Sequence, residues 1–278
     1  MNTSKTAKSS AVLLFLFFIS AVAYSQVTVA PVAIHIGETN KNGYMLIRNN
    51  STNADWEVSI EMKFGYPQSD TAGNTYIYFP ETEKADDPSA VKWISFFPRK
   101  FILKPLEEQT VRIAAKPPKD LKDGEYWGRP IIYSHALNAV DTTNKEQIEV
   151  GLSVQFQTVI ALNYRKGKSS TGINLTSFEG KYENDKIILY AGVKREGVCA
   201  YIGSMNAKIF NDKNEAVKEL KQEIAIYYTL ERRIEFDVTG LSKGQYYAEI
   251  EFNTNREEPG GVIVKGNSIT KKIPVTIN

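Results

Sequence analysis

Apolar residues recur at every second position along almost the whole chain, and no stretch holds the i, i+3, i+4 spacing of an amphipathic helix for three turns. A chain with that period can bury one side of its strands and little else, so the fold class it predicts is all-β. Strands are expected over 27–36, 43–49, 56–64, 76–79, 91–97, 110–115, 126–134 and 150–165. A second set is expected over 174–182, 186–195, 204–210, 219–226, 232–237, 245–253 and 269–277. The one helix-like window, 213–220, is followed by a return to alternation at Ile224, Ile226, Ile234, Phe236 and Val238. Asn42-Gly43, Asp123-Gly124, Lys243-Gly244 and Pro259-Gly260-Gly261 fall between strand candidates, where glycine can take the positive φ of a tight connection. About seven short strands in each half imply a sandwich, hence two immunoglobulin-like β-sandwich domains in tandem. The small, polar segment from Lys166 to Gly172 reads as the linker, dividing 26–166 from 167–278.

The first 25 residues have a separate logic. Lys5 and Lys8 precede an apolar stretch from Ala11 to Val22, and Ala23-Tyr24-Ser25 leaves small residues at the positions a signal peptidase reads. The run falls short of the roughly 20 apolar residues that span a bilayer, so a secretory signal cleaved after Ser25 is expected rather than an anchor. Export takes the mature chain out of the cytoplasm, to the periplasm, the cell surface or the extracellular medium. Two of the 34 basic residues and none of the 32 acidic ones lie in that leader, so the remainder is electrically neutral. Neutrality gives no pull toward nucleic acid or an anionic membrane surface. Cys199 is the single cysteine, which leaves stability to apolar burial and makes an inert buried thiol the expected state.

The residue types of catalysis are scarce. His35 and His135 are the only imidazoles and lie on separate strand candidates, as surface or half-buried side chains. Asp86-Asp87 and Glu257-Glu258 are paired acids in turns, the usual place of solvated loops. No glycine-rich phosphate loop or nucleophile elbow is present. Neither an enzymatic activity nor a metal or other cofactor is expected.

The informative region is Phe97-Pro-Arg-Lys-Phe-Ile-Leu-Lys-Pro-Leu-Glu-Glu-Gln-Thr-Val-Arg-Ile113, followed by Asp120-Leu-Lys-Asp-Gly-Glu-Tyr-Trp127. It resembles the periplasmic pilus-assembly chaperones, the PapD-like family, in its proline, its apolar strand, its Pro-x-x-x-Gln-x-x-Arg run and its acidic turn. The resemblance covers about residues 27 to 165, with Gly37 joining the family's opening strands; beyond 172 it rests on strand pattern. It implies a chaperone that binds and caps incomplete immunoglobulin-like fimbrial subunits by strand donation. Its partners would be pilin-like or other immunoglobulin-like surface subunits, with an outer-membrane usher as a further candidate.

The expected strand at 150–165 is about 16 residues, roughly 50 Å at ~3.3 Å per residue, against a usual 5 or 6 residues. Within it Leu152, Val154 and Phe156 alternate with Ser153, Gln155 and Gln157, and Val159 to Leu162 is apolar on both faces. Either these three residues face their own core, as inward residues of any sandwich strand do, or they lie on an open edge and fill a partner's groove. The resemblance places the family's donor residues on Leu152, Val154 and Phe156, after a long polar loop from His135 to Glu149. It also implies an interdomain salt bridge of Glu125, Arg165 and Glu257 (or Glu258), which in a partly solvated cleft would orient the domains more than stabilise them. The chain departs from the family where a client's terminal carboxylate is gripped: the two cationic positions hold Val32 and Ala161. The alternative function is a secreted or cell-surface binding module without chaperone activity, contacting protein or glycan through loops at the sandwich ends; Tyr126, Trp127, Tyr246 and Tyr247 are available aromatics, most of them explained by buried packing.

Overall fold

A computed structural model describes residues 27–137, 154–256 and 263–278. The leader, most of the loop to Glu149, Leu152, Glu257, Glu258 and the Pro259-Gly260-Gly261 turn lie outside the described residues.

In the first half, β1 (Val27–Ala30), β2 (Ala33–Gly37), β3 (Asn42–Asn49), β4 (Trp56–Lys63), β5 (Tyr66–Ser69) and β6 (Thr75–Tyr78) precede a 3-10 turn at Val91–Trp93. After it come β7 (Ile94–Phe97), β8 (Lys100–Leu103), β9 (Glu108–Ala115), β10 (Gly124–Ala136), β11 (Gln155–Val159) and β12 (Ala161–Lys166). One sheet runs β1-β3-β9-β7; the facing sheet runs β2-β12-β10-β4-β8, with β11 also on β10, and β5 pairs with β6. Alternate residues from the two sheets meet in the core: Met45, Ile47, Val111 and Ile113 from one, Val58, Ile60, Ile132 and Leu162 from the other, all buried.

The second half consists of β13 (Thr171–Glu183), β14 (Lys186–Gly197), β15 (Tyr201–Phe210), β16 (Ala216–Ile226), β17 (Thr229–Asp237), β18 (Gly244–Asn253) and β19 (Ile269–Ile277). A three-stranded sheet, β13-β14-β17, faces a four-stranded one, β16-β15-β18-β19. Ile187, Leu189, Ala191 and Val193 pack against Met205, Ala207, Ile209, Ile250 and Phe252. The architecture is all-β, two immunoglobulin-like sandwiches in tandem.

Several local expectations change. The opening strand, expected unbroken over 27–36, divides at Pro31: β1 pairs antiparallel with β3, and β2 crosses to pair parallel with β12. Proline has no amide hydrogen to continue a ladder, so it suits the point where the chain leaves one sheet for the other. Asn42-Gly43 lies inside β3 instead of forming a turn. A Cβ on Gly43 would come within 3.3 Å of a methyl of both Ile34 and Ile36, so glycine there lets β2 and β3 approach. The window at 213–220 is the entry to strand β16, after a turn in which Asn211 accepts from the amides of Lys213 and Glu215. The linker segment is shorter than expected, since β12 ends at Lys166 and β13 begins at Thr171.

Ile47 is completely buried between the sheets. Ile47→Ala is expected to lower the unfolding free energy by about 2–5 kcal/mol, measured as a shift of the first-domain transition in urea.

Candidate functional site

Two features draw residues together: the free margin of the first sandwich at β11, and the junction between the sandwiches.

The pairing of β11 and β12 with β10 keeps one register throughout, from Lys166 opposite Gly124 to Gln155 opposite His135. The strand is interrupted at Ile160 because its opposite number is Pro130: Ile160 donates to the Pro130 carbonyl at 3.1 Å and proline returns no bond. One residue further, Ala161 donates to Val32 on the other side at 3.0 Å. Main-chain groups alternate sides along a strand, so those of Phe156 and Thr158 turn toward β10 and those of Gln155 and Gln157 turn outward. Beyond β12 the outward lane is filled by β2; among the described residues no strand fills it beside β11.

Side chains follow the same parity. Phe156 and Thr158 share a face with Ser134, Ile132, Val58 and Ile60, which are all buried. Val154, two residues earlier, belongs to that row. Yet Val154 is 49% exposed and Phe156 48%. The ring of Phe156 reaches only the end of the core, 5.7 Å from the ring of Trp56. An apolar row therefore sits on the core side of the sheet, one strand beyond where the opposite sheet closes over it. Such a margin can accept an added strand outside β11 and apolar side chains beneath it. Leu152, the third residue of the row, lies outside the described residues. Val32 is exposed and Ala161 half-buried, and neither offers a charge.

At the junction, the turn after Asp120 delivers Glu125 at the start of β10, opposite Arg165 on β12. Arg165 Nε donates to Glu125 Oε1 at 2.6 Å, and the amide of Ala200, in the second sandwich, donates to Glu125 Oε2 at 2.7 Å. His35 Nδ1 lies 3.5 Å from the Arg165 guanidinium. Glu257 lies outside the described residues, and the second-domain partner found here is main chain. The expectation of a partly solvated pair is corrected: the Glu125 side chain is fully buried and that of Arg165 is 14% exposed. Water is kept out because Phe64 and Trp127 of the first sandwich pack with Ala200, Ile202 and Tyr227 of the second. The rings of Trp127 and Tyr227 meet edge to face at 4.8 Å, and the Tyr227 hydroxyl donates to Asn163 Oδ1 at 2.9 Å. Arg129 lies over the Tyr227 ring at 4.8 Å and donates through Nε to the Gly65 carbonyl at 3.1 Å. Burial pushes the Tyr227 phenol upward.

Of the aromatics available to a binding module, Trp127 and Tyr246 are buried in packing, as expected for most of them, and Tyr247 is partly exposed. Asn163, Tyr227, Arg129 and Ala200 carry no motif that marks them in the sequence. Cys199 is buried and free, and burial followed by the nearby Glu125 charge pushes its thiol upward. Among the described residues no three His, Cys, Asp or Glu side chains are grouped to hold a metal ion.

No protein-family model matches the chain, and no curated protein matches it in sequence. Among solved structures, the chain is similar to the YadV chaperone, with 12% identity, 90% of this chain and 100% of that one covered, and a TM-score of 0.43. It is similar to the Salmonella enterica SafA pilin in complex with the SafB chaperone, with 11% identity, 91% and 98% covered, and a TM-score of 0.43. For the E. coli chaperone DraB the values are 11% identity, 88% and 95% covered, and a TM-score of 0.44.

Removing the charge of Glu125 takes a fully buried carboxylate from beside the Arg165 guanidinium. Glu125→Gln is expected to cost about 3–5 kcal/mol, seen as a lowered denaturation midpoint. Cys199 should stay unreactive toward Ellman's reagent at pH 8 in the folded protein and react fully once denatured; fast reaction of the native thiol would contradict its burial.

Proposed function

We propose that this chain is a periplasmic, chaperone-like protein that binds and caps incomplete immunoglobulin-like surface subunits, pilin-like ones among them, by donating β11 to their sheet. The observation that carries the reading is the margin at β11, where outward main-chain groups at Gln155 and Gln157 accompany the half-exposed Val154 and Phe156. An incomplete sandwich lacks a strand and exposes an apolar groove. Added main-chain pairing would supply the missing ladder, and the row ending in Phe156 would fill the groove. The resemblance of 97–113 and 120–127 to pilus-assembly chaperones supports the same reading from the sequence side.

With Val32 and Ala161 in place of cations, attachment would rest on strand pairing and apolar burial instead of a charge-assisted grip on a carboxylate. Nothing in the process calls for a cofactor or for turnover.

The test is recovery of the partner. The tagged protein, isolated from a periplasmic extract of cells that make it, should carry an immunoglobulin-like subunit. Phe156→Asp should lose that subunit, since a carboxylate buried in an apolar groove is left unpaired. Undiminished recovery with the variant would discard strand donation through this row and leave the alternative of an exported binding module.

A further inference from the structure

The first sandwich sends one element out of its own domain. The hairpin of β5 and β6, which follows β4, lies along β17 of the second sandwich. The Ser69 hydroxyl accepts from the Glu231 amide at 3.0 Å and donates to the Glu231 carbonyl at 2.5 Å. The Arg233 amide donates to the Gly73 carbonyl at 3.2 Å, and the Arg232 guanidinium donates to the Thr75 hydroxyl. At the base of the hairpin, Tyr66 meets Tyr228 edge to face at 4.7 Å. Because β14 occupies the other side of β17, these bonds are made to groups that face away from the sheet.

The tip is shaped for this contact. Asp70 Oδ1 accepts from the amides of Ala72 and Asn74 at 2.9 and 2.8 Å, and Asp70 Oδ2 accepts from the Asn74 side chain at 3.0 Å. Gly73 has φ +80, and a Cβ there would sit 2.7 Å from Cβ and 2.8 Å from the amide nitrogen of Arg233. Only glycine allows both that backbone conformation and that approach.

The aromatic cluster at the junction joins the sandwiches at one patch, and one patch resists separation better than rotation. From Tyr228 to Arg233 the extended chain covers roughly 16 Å, so the hairpin adds a second attachment well away from the first. We propose that the β5–β6 hairpin is an interdomain lock: it fixes the angle between the two sandwiches, and Gly73 is its latch. The lock makes the surface that spans both sandwiches preformed, so a partner that touches both meets no cost of reorienting them. This inference stands apart from the chaperone reading and from the Glu125 pair.

The experiment reads the spread in the angle as a spread of distances between the sandwiches. Spin labels are placed through Arg112→Cys on β9 and Lys271→Cys on β19, with the buried Cys199 left in place, and distances are read by double electron–electron resonance. The labelled parent should give one narrow distribution. Gly73→Val should broaden it about twofold or more, since the sandwiches are then held at the junction patch alone and can rotate about it. Because a strained tip could unfold the hairpin itself, the pair Ser69→Ala with Thr75→Val, which leaves the tip intact, should broaden it as well. A parent distribution that is already broad, or an unchanged width in either folded variant, overturns the lock.

Discussion

An open sheet has two outermost strands, each with a lane of outward amides and carbonyls that has to be met or protected, and the treatment of those edges organises this molecule. The edge at β17 is met by the β5–β6 hairpin through Ser69 and Gly73. The edge at β16 alternates charge along its exposed length, with Lys218, Glu219, Lys221 and Glu223, which discourages another chain from pairing there. At the opening of the first sandwich the chain itself closes the lane, since β2 crosses after Pro31 to pair with β12. Against that background β11 is treated differently: it keeps an apolar row and carries no charge between Val154 and Ala161.

The open margin and the domain junction are two ends of one strand system. The register with β10 runs unshifted from Gln155 to Lys166, so the segment holding Phe156 and the segment holding Arg165 share one ladder, relieved only at Pro130. Glu125 then ties that ladder to the second sandwich. Its two oxygens take donors from different domains, so the carboxylate is satisfied only when the sandwiches are docked. A buried carboxylate with half its partners missing is costly, which couples docking to the integrity of β10 and β12. The second sandwich thus braces the strand whose far end is open.

The sequence made the sandwiches legible because burial on one face imposes a period of two, and that period survives nearly everywhere. It was least informative where pairing, not burial, decides. β5 and β8 are four residues each, too short for alternation to register, and β5 contains Pro67. The hairpin's role was invisible because its partner strand is 162 residues away, and the bonds use main chain at Glu231 and Arg233. The same holds at the junction. Glu125 and Arg165 could be named through a family resemblance, whereas the amide of Ala200 has no residue-type signature. Trp127 is buried in the junction, where its large ring packs with Phe64, Ala200, Ile202 and Tyr227 and helps exclude water from the ion pair.

The choice between an inward row and a donating row depends on where the opposite sheet stops. Ile132, Val58 and Ile60 share the face of Phe156 and are buried in one cluster with Met45, Ile47, Val111 and Ile113 of the facing sheet; Phe156 lies one strand further out, has Trp56 at its side and is 48% exposed. Burying a large aromatic is worth about 1.5–3 kcal/mol, so leaving it half exposed forgoes part of that stabilisation. A row that served only its own core would gain by extending the covering sheet or shortening the strand. Val154 and Phe156 instead stay partly uncovered on the same margin where main-chain groups face outward with no strand beside them among the described residues, and the two demands, apolar and hydrogen-bonding, are those that one added strand would meet together.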